Sequence, residues 1–198
     1  MKYLIISLVT ILFVGCTTVT PPKTEFRINP MMPDLQLSGM ECKDSSLKVA
    51  QAFSSSNLMS IDMNYAQGDS KQYIYSKSQW SVTPNRAVTA KFLELLRDTE
   101  LFNSVQVSKS RSKSDYILEI NIEDFMQYFN EDSSSSYAKA TVSLALIETK
   151  TSITFATKTF STKVDIDTLN ANGGVEGLNT ALSDILSQSA EWFGKVCK

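Results

Sequence analysis

Three consecutive runs between residues 115 and 164 alternate apolar with polar residues, and they constrain the fold more than any other feature of the sequence. In residues 115–129, alternate apolar positions indicate a strand with one buried face. The apolar phase then shifts by one residue, which predicts a β-bulge near Glu123–Asp124. A polar tip at residues 130–136 and a turn near Lys150 separate the two following runs. The three runs therefore predict an antiparallel meander.

Two amphipathic helices accompany these strands. Thr83 is a candidate N-cap for a helix over residues 84–98, and Pro84 would hold its favoured first position. Asn172-Gly173-Gly174 is interpreted as a break, after which a second helix begins at Val175 and presents apolar residues at three- and four-residue steps. Shorter strands are expected at residues 47–51, 61–65, 72–80 and 105–108. The predicted fold is α+β, a mostly antiparallel sheet with two long helices packed on one face.

The N-terminus has the features of a targeting signal. Residues 1–15 form a signal peptide with an apolar run of twelve positions at most, too short for the roughly 20 residues of a membrane span. Phe13-Val14-Gly15-Cys16 resembles a bacterial lipobox, so Cys16 is predicted to carry the lipid, palmitate included; the alternative is an ordinary signal peptide with an incidental cysteine. Residues 16–33 contain four prolines and are expected to be a lipidated tether, followed by one domain over residues 34–198.

Composition and charge exclude several classes of function. The chain has no histidine, which removes histidine-dependent nucleophile systems and histidine metal sites. Its 19 basic and 21 acidic residues are scattered, so nucleic acid is not an expected partner. Paired carboxylates at Glu123–Asp124 and Glu131–Asp132 are the remaining candidates for catalysis. Adjacent strand residues point to opposite faces, so the first pair could project into one cleft only with the help of its bulge. The prediction is a protein without enzymatic activity, cofactor or metal.

Two cysteines remain after lipidation, Cys42 and Cys197. A bacterial envelope compartment permits a disulfide, and only one intramolecular pairing exists. The two cysteines either form this bridge, which would close a loop of roughly 155 residues, or stay as free thiols.

Four motifs follow one another in a defined order: residues 73–80 (YIYSKSQW), Pro84 at a helix start, residues 101–105 (LFNSV) and residues 115–120 (DYILEI). In this order they resemble the ABC-type transport auxiliary lipoproteins, which accompany MCE-domain lipid transporters. The family's first strand has either residues 25–28 or residues 34–37 as its counterpart here.

The resemblance implies a binding and tethering component on the periplasmic face of the outer membrane. Its expected partners are an MCE-domain protein and an ABC permease complex, with phospholipid contact and a homo-oligomer as further implications of the family. The alternative function is a structural or assembly lipoprotein of the envelope, such as a cell-wall synthase activator or an outer-membrane biogenesis factor.

Three features allow two interpretations each. Trp80 packs between sheet and helix or contacts a partner. The polar tip at residues 131–136 is a solvated turn or a contact point. The apolar face of the second run of the meander lies under the helices or shelters an acyl chain. These positions are Ala138, Ala140, Val142, Leu144 and Leu146.

Overall fold

The computed structural model describes residues 21–34 and 42–197, and within these ranges it contains nine strands, two α-helices and one short 3-10 helix. The strands are β1 (Thr24–Phe26), β2 (Ser46–Val49), β3 (Phe53–Ser54), β4 (Asp62–Gln67), β5 (Lys71–Trp80), β6 (Ser104–Val107), β7 (Tyr116–Phe129), β8 (Ser136–Glu148) and β9 (Ile153–Ile166). The helices are α1 (Pro84–Asp98) and α2 (Ala171–Val196), with the 3-10 helix at Ser56–Met59. The α+β prediction is confirmed.

All nine strands form one sheet, organised around β7. On one side β7 pairs with β8, which pairs with β9, and both ladders are antiparallel as the meander requires. On its other side, β2, β3 and β4 pair in parallel with successive stretches of β7. The expectation of a mostly antiparallel sheet is therefore imprecise. The short strands β2, β3 and β4, which pair with the second side of β7, run parallel to β7.

The predicted bulge lies in the middle of β7. Ile122 pairs with Val142 and Asp124 pairs with Thr141, so Glu123 is the extra residue. Because a bulge shifts the side-chain alternation by one position, Phe125 faces the core after it. The bulge thus keeps Leu118, Ile120, Ile122, Phe125 and Phe129 on one face of the long strand β7, together with the buried Gln127.

Both helices pack on one face of the sheet and enclose the hydrophobic core. In α1 the predicted apolar stripe is buried, and Phe92 is fully inaccessible. In β8 the alternate residues from Ala138 to Leu146 are at most 2% exposed beneath the helices. Trp80 is 4% exposed, with its ring 6.2 Å from that of Phe125. The core interpretations of Trp80 and of the β8 face are both confirmed.

Helix α2 begins earlier than the sequence predicted. The side chain of Asn170 accepts hydrogen bonds from the backbone N–H groups of Asn172 and Gly173, so it caps a helix that includes both glycines. A Cβ at Gly173 would lie 2.0 Å from the carbonyl oxygen of Thr168, and one at Gly174 would lie 2.2 Å from Oε1 of Gln127. The glycines therefore serve close packing, and the predicted break at residues 172–174 is wrong.

The N-terminal segment packs on the folded part of the chain. β1 pairs with β5 through Thr24 and Ser78 and overlaps residues 25–28, one of the two candidates for a first strand. The other candidate, residues 34–37, lies outside the described residues except for its first residue. Beyond β1, the N–H of Asn29 donates to Asn179 on α2 at 2.8 Å, and Ser183 Oγ donates to the carbonyl of Met31 at 2.7 Å. Residues 24–33 are thus held against the sheet and α2 by backbone and side-chain hydrogen bonds. The predicted signal peptide and Cys16 lie outside the described residues.

Cys42 and Cys197 form a disulfide whose Cα atoms are 5.1 Å apart. Both cysteines are buried, at 5% and 0% exposed. The bridge joins the segment before β2 to the C-terminal end of α2, so it ties the last helix to the beginning of the domain. Of the two alternatives for these cysteines, the structure has the bridge.

Candidate interaction surface

The face of β7, β8 and β9 that points away from the helices, which we call the open face, carries mainly polar side chains. It follows from strand alternation, because every second residue of each strand must point away from the core. Within the described residues no helix covers it. Its central members are Glu119, Asn121, Glu123, Thr141, Ser143, Thr157, Thr159 and Ser161.

Hydroxyl groups connect the strands across the centre of the open face. The Ser143 and Thr159 hydroxyls are 2.6 Å apart, and those of Thr141 and Ser161 are 2.8 Å apart. Ser143 Oγ also donates to the carboxylate of Glu123. These cross-strand contacts give the hydroxyls of Thr141, Ser143, Thr159 and Ser161 hydrogen-bond partners within the sheet.

One end of the open face combines aromatic and charged groups. Tyr128 donates its hydroxyl hydrogen bond to Asp124, whose Oδ2 is 3.1 Å from Nζ of Lys139. The rings of Tyr128 and Tyr137 stack with centroids 5.2 Å apart, and Lys163 Nζ lies 3.9 Å from the Tyr137 centroid. Burial, and secondly the Asp124 carboxylate, raise the pKa of Tyr128. The phenol therefore stays protonated and serves as a hydrogen-bond donor.

The bulge turns both carboxylates of the Glu123–Asp124 pair toward partners on the open face. Glu123 accepts from Ser143 on β8, whereas Asp124 contacts Tyr128 and Lys139. Each carboxylate thus has its own set of donors. Glu123 and Asp124 lie on the same side of the sheet although they are adjacent, because the bulge interrupts the alternation.

A shallow groove of about 800 Å³ crosses the open face toward β3. Asn121, Ser143 and Thr159 are among its lining residues, and Phe53 stands at its margin with 71% of its surface exposed. An exposed aromatic ring beside hydroxyl and amide groups is typical of protein recognition surfaces. The groove is open to solvent along its length.

Strand β9 forms the outer border of the open face, and among the described residues it pairs with β8 alone. It is 14 residues long, and all of its side chains except those of Phe160 and Ile166 are exposed or half-buried. Lys158 is exposed and makes no ion pair within the described part of the chain. We call the outer side of this strand the β9 edge.

The other predicted sites lie away from this surface. At the polar tip, Glu131 is 3.0 Å from Lys71, and hydrogen bonds from Ser134 lower the pKa of the exposed Asp132. The tip is thus a turn stabilised by its own polar groups. Within residues 21–34 and 42–197 there is no cluster of three metal-ligating side chains, and no helix is both long and apolar enough to cross a membrane.

Sequence reasoning predicted β9 as a strand but missed that it ends the sheet. The available signal was indirect: no strand pattern follows residue 166, and the last segment has helical periodicity. A meander whose third strand is followed only by a helix leaves that strand with one unpaired side, unless another part of the chain fills it. The sequence did not indicate Lys158 as a functional residue, because a single lysine in a predicted strand has no distinctive spacing.

Comparisons with known proteins show what the fold resembles. No protein-family model and no curated protein matches the sequence. A crystal structure of a Xanthomonas campestris protein described under family DUF330 matches with a TM-score of 0.76 and 15% identity, over 87% of this chain and 95% of that one. A structure described as an uncharacterized protein matches with a TM-score of 0.61 and 14% identity, over 86% and 99% of the two chains.

A minor lipoprotein from Acinetobacter baumannii matches with a TM-score of 0.42 and 10% identity, over 76% and 93% of the chains. This weaker likeness carries no argument. The two stronger ones establish that the chain shares its fold with the Xanthomonas protein and with the uncharacterized one.

Proposed function

We propose that the protein is a lipid-anchored periplasmic component of an ABC-type/MCE lipid transport system, held on the outer membrane through Cys16. It acts by binding and tethering and not by catalysis. Three acyl chains would suffice for stable attachment, since two lipid signals already anchor a protein without a transmembrane helix. The domain would then present its open face and the β9 edge to the periplasm.

The observation that carries this proposal is the position of the four family-like motifs in the fold. YIYSKSQW lies in β5, Pro84 begins α1, LFNSV leads into β6, and DYILEI leads into and opens β7. Trp80, Leu101 and Phe102 of these motifs are at most 5% exposed. Because the apolar motif residues Trp80, Leu101, Phe102, Leu118 and Ile120 belong to one connected core, the order of the motifs supports a shared architecture better than isolated matches would.

The course of the chain at its N-terminus is compatible with tethering. β1 runs parallel to β5 and pairs with its last three residues, so Thr24 lies beside Ser78, away from the β4–β5 turn at Gly68. Seven residues lie between Cys16 and Thr24, so this segment spans at most about 29 Å when extended. A lipid on Cys16 would therefore keep β1 within this distance of the membrane.

Affinity purification of the tagged full-length protein from gently solubilised membranes tests the proposal. We expect an MCE-domain protein and its permease to co-purify. Metabolic labelling with palmitate should mark the wild-type protein and not a Cys16→Ser variant, which separates failure of the anchor from failure of the partner assignment. Recovery of cell-wall synthases or outer-membrane assembly proteins instead would favour the alternative function and contradict the proposal.

A further inference from the structure

The loop between β6 and β7 concentrates positive charge. Residues 108–114 read SKSRSKS, so Lys109, Arg111 and Lys113 fall within five positions. All three residues are exposed, and none forms an ion pair within the described part of the chain. Because the chain as a whole has a net charge of -2, the loop departs locally from the overall balance of charge.

Lys48 on β2 holds the backbone of this loop in place. Its ammonium group donates hydrogen bonds to the carbonyls of Ser110 and Ser112, at 3.2 Å and 2.8 Å. The hydroxyls of these two serines are 2.9 Å apart, and the N–H of Ser110 donates to the carbonyl of Val107 at 2.9 Å. The loop is thus ordered by its own polar groups, while its three basic side chains remain available for contacts outside the domain.

The opposite end of the sheet carries negative charge. Four exposed carboxylates and one lysine line a shallow depression beside the polar tip. The carboxylates are those of Asp69, Glu131, Asp165 and Asp167. An anionic surface would therefore attract the end of the domain that carries the basic loop and repel the end that carries the tip.

The loop and the N-terminal strand lie on the same side of β7. Since β8 pairs with β7 along the whole length of β7, β2 and β4 pair with its other side. On that side β6 follows β2, and β1 follows β4 and β5. The chain that leads to Cys16 thus leaves the domain from the side that carries the basic loop, away from β9.

The distance between the loop and β1 is within the reach of the N-terminal segment. The strand registers place Val107 level with Leu118 of β7. They place Thr24 near the level of Phe125, so about 20 Å separates the two levels along the strand direction. The segment from Cys16 to Thr24 spans up to about 29 Å. One membrane can therefore hold the lipid on Cys16 and contact the loop.

An apolar groove of about 290 Å³ adjoins the loop between α1 and the end of β6. Leu93 and Val107 are among its lining residues, and Val107 is 45% exposed. Arg86 and Lys109 also line this groove, and both are exposed. Apolar side chains beside cations are typical of protein surfaces that lie at the boundary between lipid headgroups and acyl chains.

We propose that residues 108–114, together with Arg86 and Val107, form a basic surface that docks on the anionic headgroups of the membrane that holds the lipid anchor. The proposal rests on the lipid anchor of the proposed function. The short N-terminal segment favours a lipid surface over an acidic protein, because it keeps the basic surface beside the membrane at high effective concentration. Docking turns the β1 and β6 side of the sheet to the membrane and leaves β9 on the far side.

Fluorescence quenching in vesicles tests this orientation. Val107→Trp and, as a second variant, Ser108→Trp each add one tryptophan at the basic surface of the lipidated full-length protein. Phospholipids brominated on their acyl chains quench a tryptophan that contacts the bilayer. Phe155→Trp is the matched control, because Phe155 is 54% exposed and lies near Tyr116, at the same end of the sheet but on β9.

The composition of the vesicles tests the role of charge. In brominated phosphatidylcholine with about a quarter phosphatidylglycerol, we expect both variants at the basic surface to be quenched about twofold more than Phe155→Trp. High salt, or phosphatidylcholine alone, should remove most of this difference, because the attraction is electrostatic. Equal quenching at the two sites, or quenching that is independent of phosphatidylglycerol, would overturn the proposal. No quenching at the basic surface would overturn it in favour of an acidic protein partner.

Neutralising one cation tests the contribution of the loop. In the Val107→Trp background, Arg111→Gln should lower the ratio of docked to free domain about fivefold, as expected for the loss of one basic residue at an anionic surface. Lys158→Gln is the control, since Lys158 is exposed on β9 with no ion pair among the described residues. Equal losses in the two variants, or no loss in either, would contradict docking through the basic surface.

The outcomes distinguish this proposal from the proposed function. If the basic surface is quenched while no MCE-domain protein co-purifies, membrane docking stands and the transport assignment fails. If an MCE-domain protein and permease co-purify while the basic surface is not quenched, the transport assignment stands and membrane docking fails. A wild-type protein without palmitate on Cys16 would contradict both, because both rest on the anchor.

Discussion

The two faces of β8 differ in burial and in the contacts that they make. On the covered face, residues such as Val142 and Leu144 are at most 2% exposed and pack under the helices. On the open face, Lys139 and Ser143 remain partly accessible and bond to side chains on β7. Full burial of a large apolar side chain contributes about 1.5–3 kcal/mol, whereas an exposed ion pair contributes about 0–1 kcal/mol. The covered side of β8 thus contributes most to the stability of the fold, whereas substitutions on its open side should cost little stability.

The largest expected effect comes from removing the disulfide that ties α2, which covers the apolar face, to the beginning of the domain. Replacing both Cys42 and Cys197 by serine removes a cross-link that closes a loop of 155 residues, which the chain-entropy model values at about 5 kcal/mol. We expect a corresponding loss in the free energy of unfolding measured with urea. A reducing agent should lower the stability of the wild type and leave the double variant unchanged. Equal stability of the two proteins would contradict a structural role for the bridge.

Neighbouring residues of β8 compare the two faces directly. Leu144→Ala leaves a cavity under the helices and should cost about 2–5 kcal/mol. Ser143→Ala removes only open-face hydrogen bonds to Glu123 and Thr159, so we expect less than about 1 kcal/mol. Urea denaturation of both variants measures the difference. Similar losses would mean that the open face contributes to stability as much as the core.

A smaller effect is expected where a polar group lies on the covered face. Gly174→Ala would place a Cβ 2.2 Å from Oε1 of Gln127, which accepts a hydrogen bond from Tyr75 at 2.7 Å. Displacing this buried amide should cost about 1–3 kcal/mol. Thermal unfolding measures the loss, and the double variant with Gln127→Ala should show a smaller incremental cost of the alanine. An unaffected single variant would show that the amide can move freely.

The local elements were predictable because their signals lie within a few residues. Alternation located β7, β8 and β9, and the phase change located the bulge, since an extra residue must move every later side chain to the other face. The two helices followed from their apolar periodicity. Two local rules failed: Thr83 donates its hydroxyl to Asn85 instead of capping a backbone N–H, and Gly173 lies inside a helix.

The interaction surface was less predictable than the fold. Its polar residues appeared in the sequence only as the solvent-facing half of an alternating pattern, with no spacing that indicates binding. Whether β9 lies at the edge depends on the strand order of the whole sheet. The sequence of β9 itself does not determine that order. A residue such as Lys158 becomes a candidate contact residue only once β9 is known to lie at the edge of the sheet.

The sequence by itself determined the meander, its bulge, the two helices and the face that each element buries, because these follow from side-chain periodicity along continuous segments. Only the tertiary structure decided that β2, β3 and β4 run parallel to β7, that residues 24–33 pack on the domain, and that β9 ends the sheet. Those features arise from contacts between residues far apart in the chain, where several arrangements bury similar apolar area and close packing selects one.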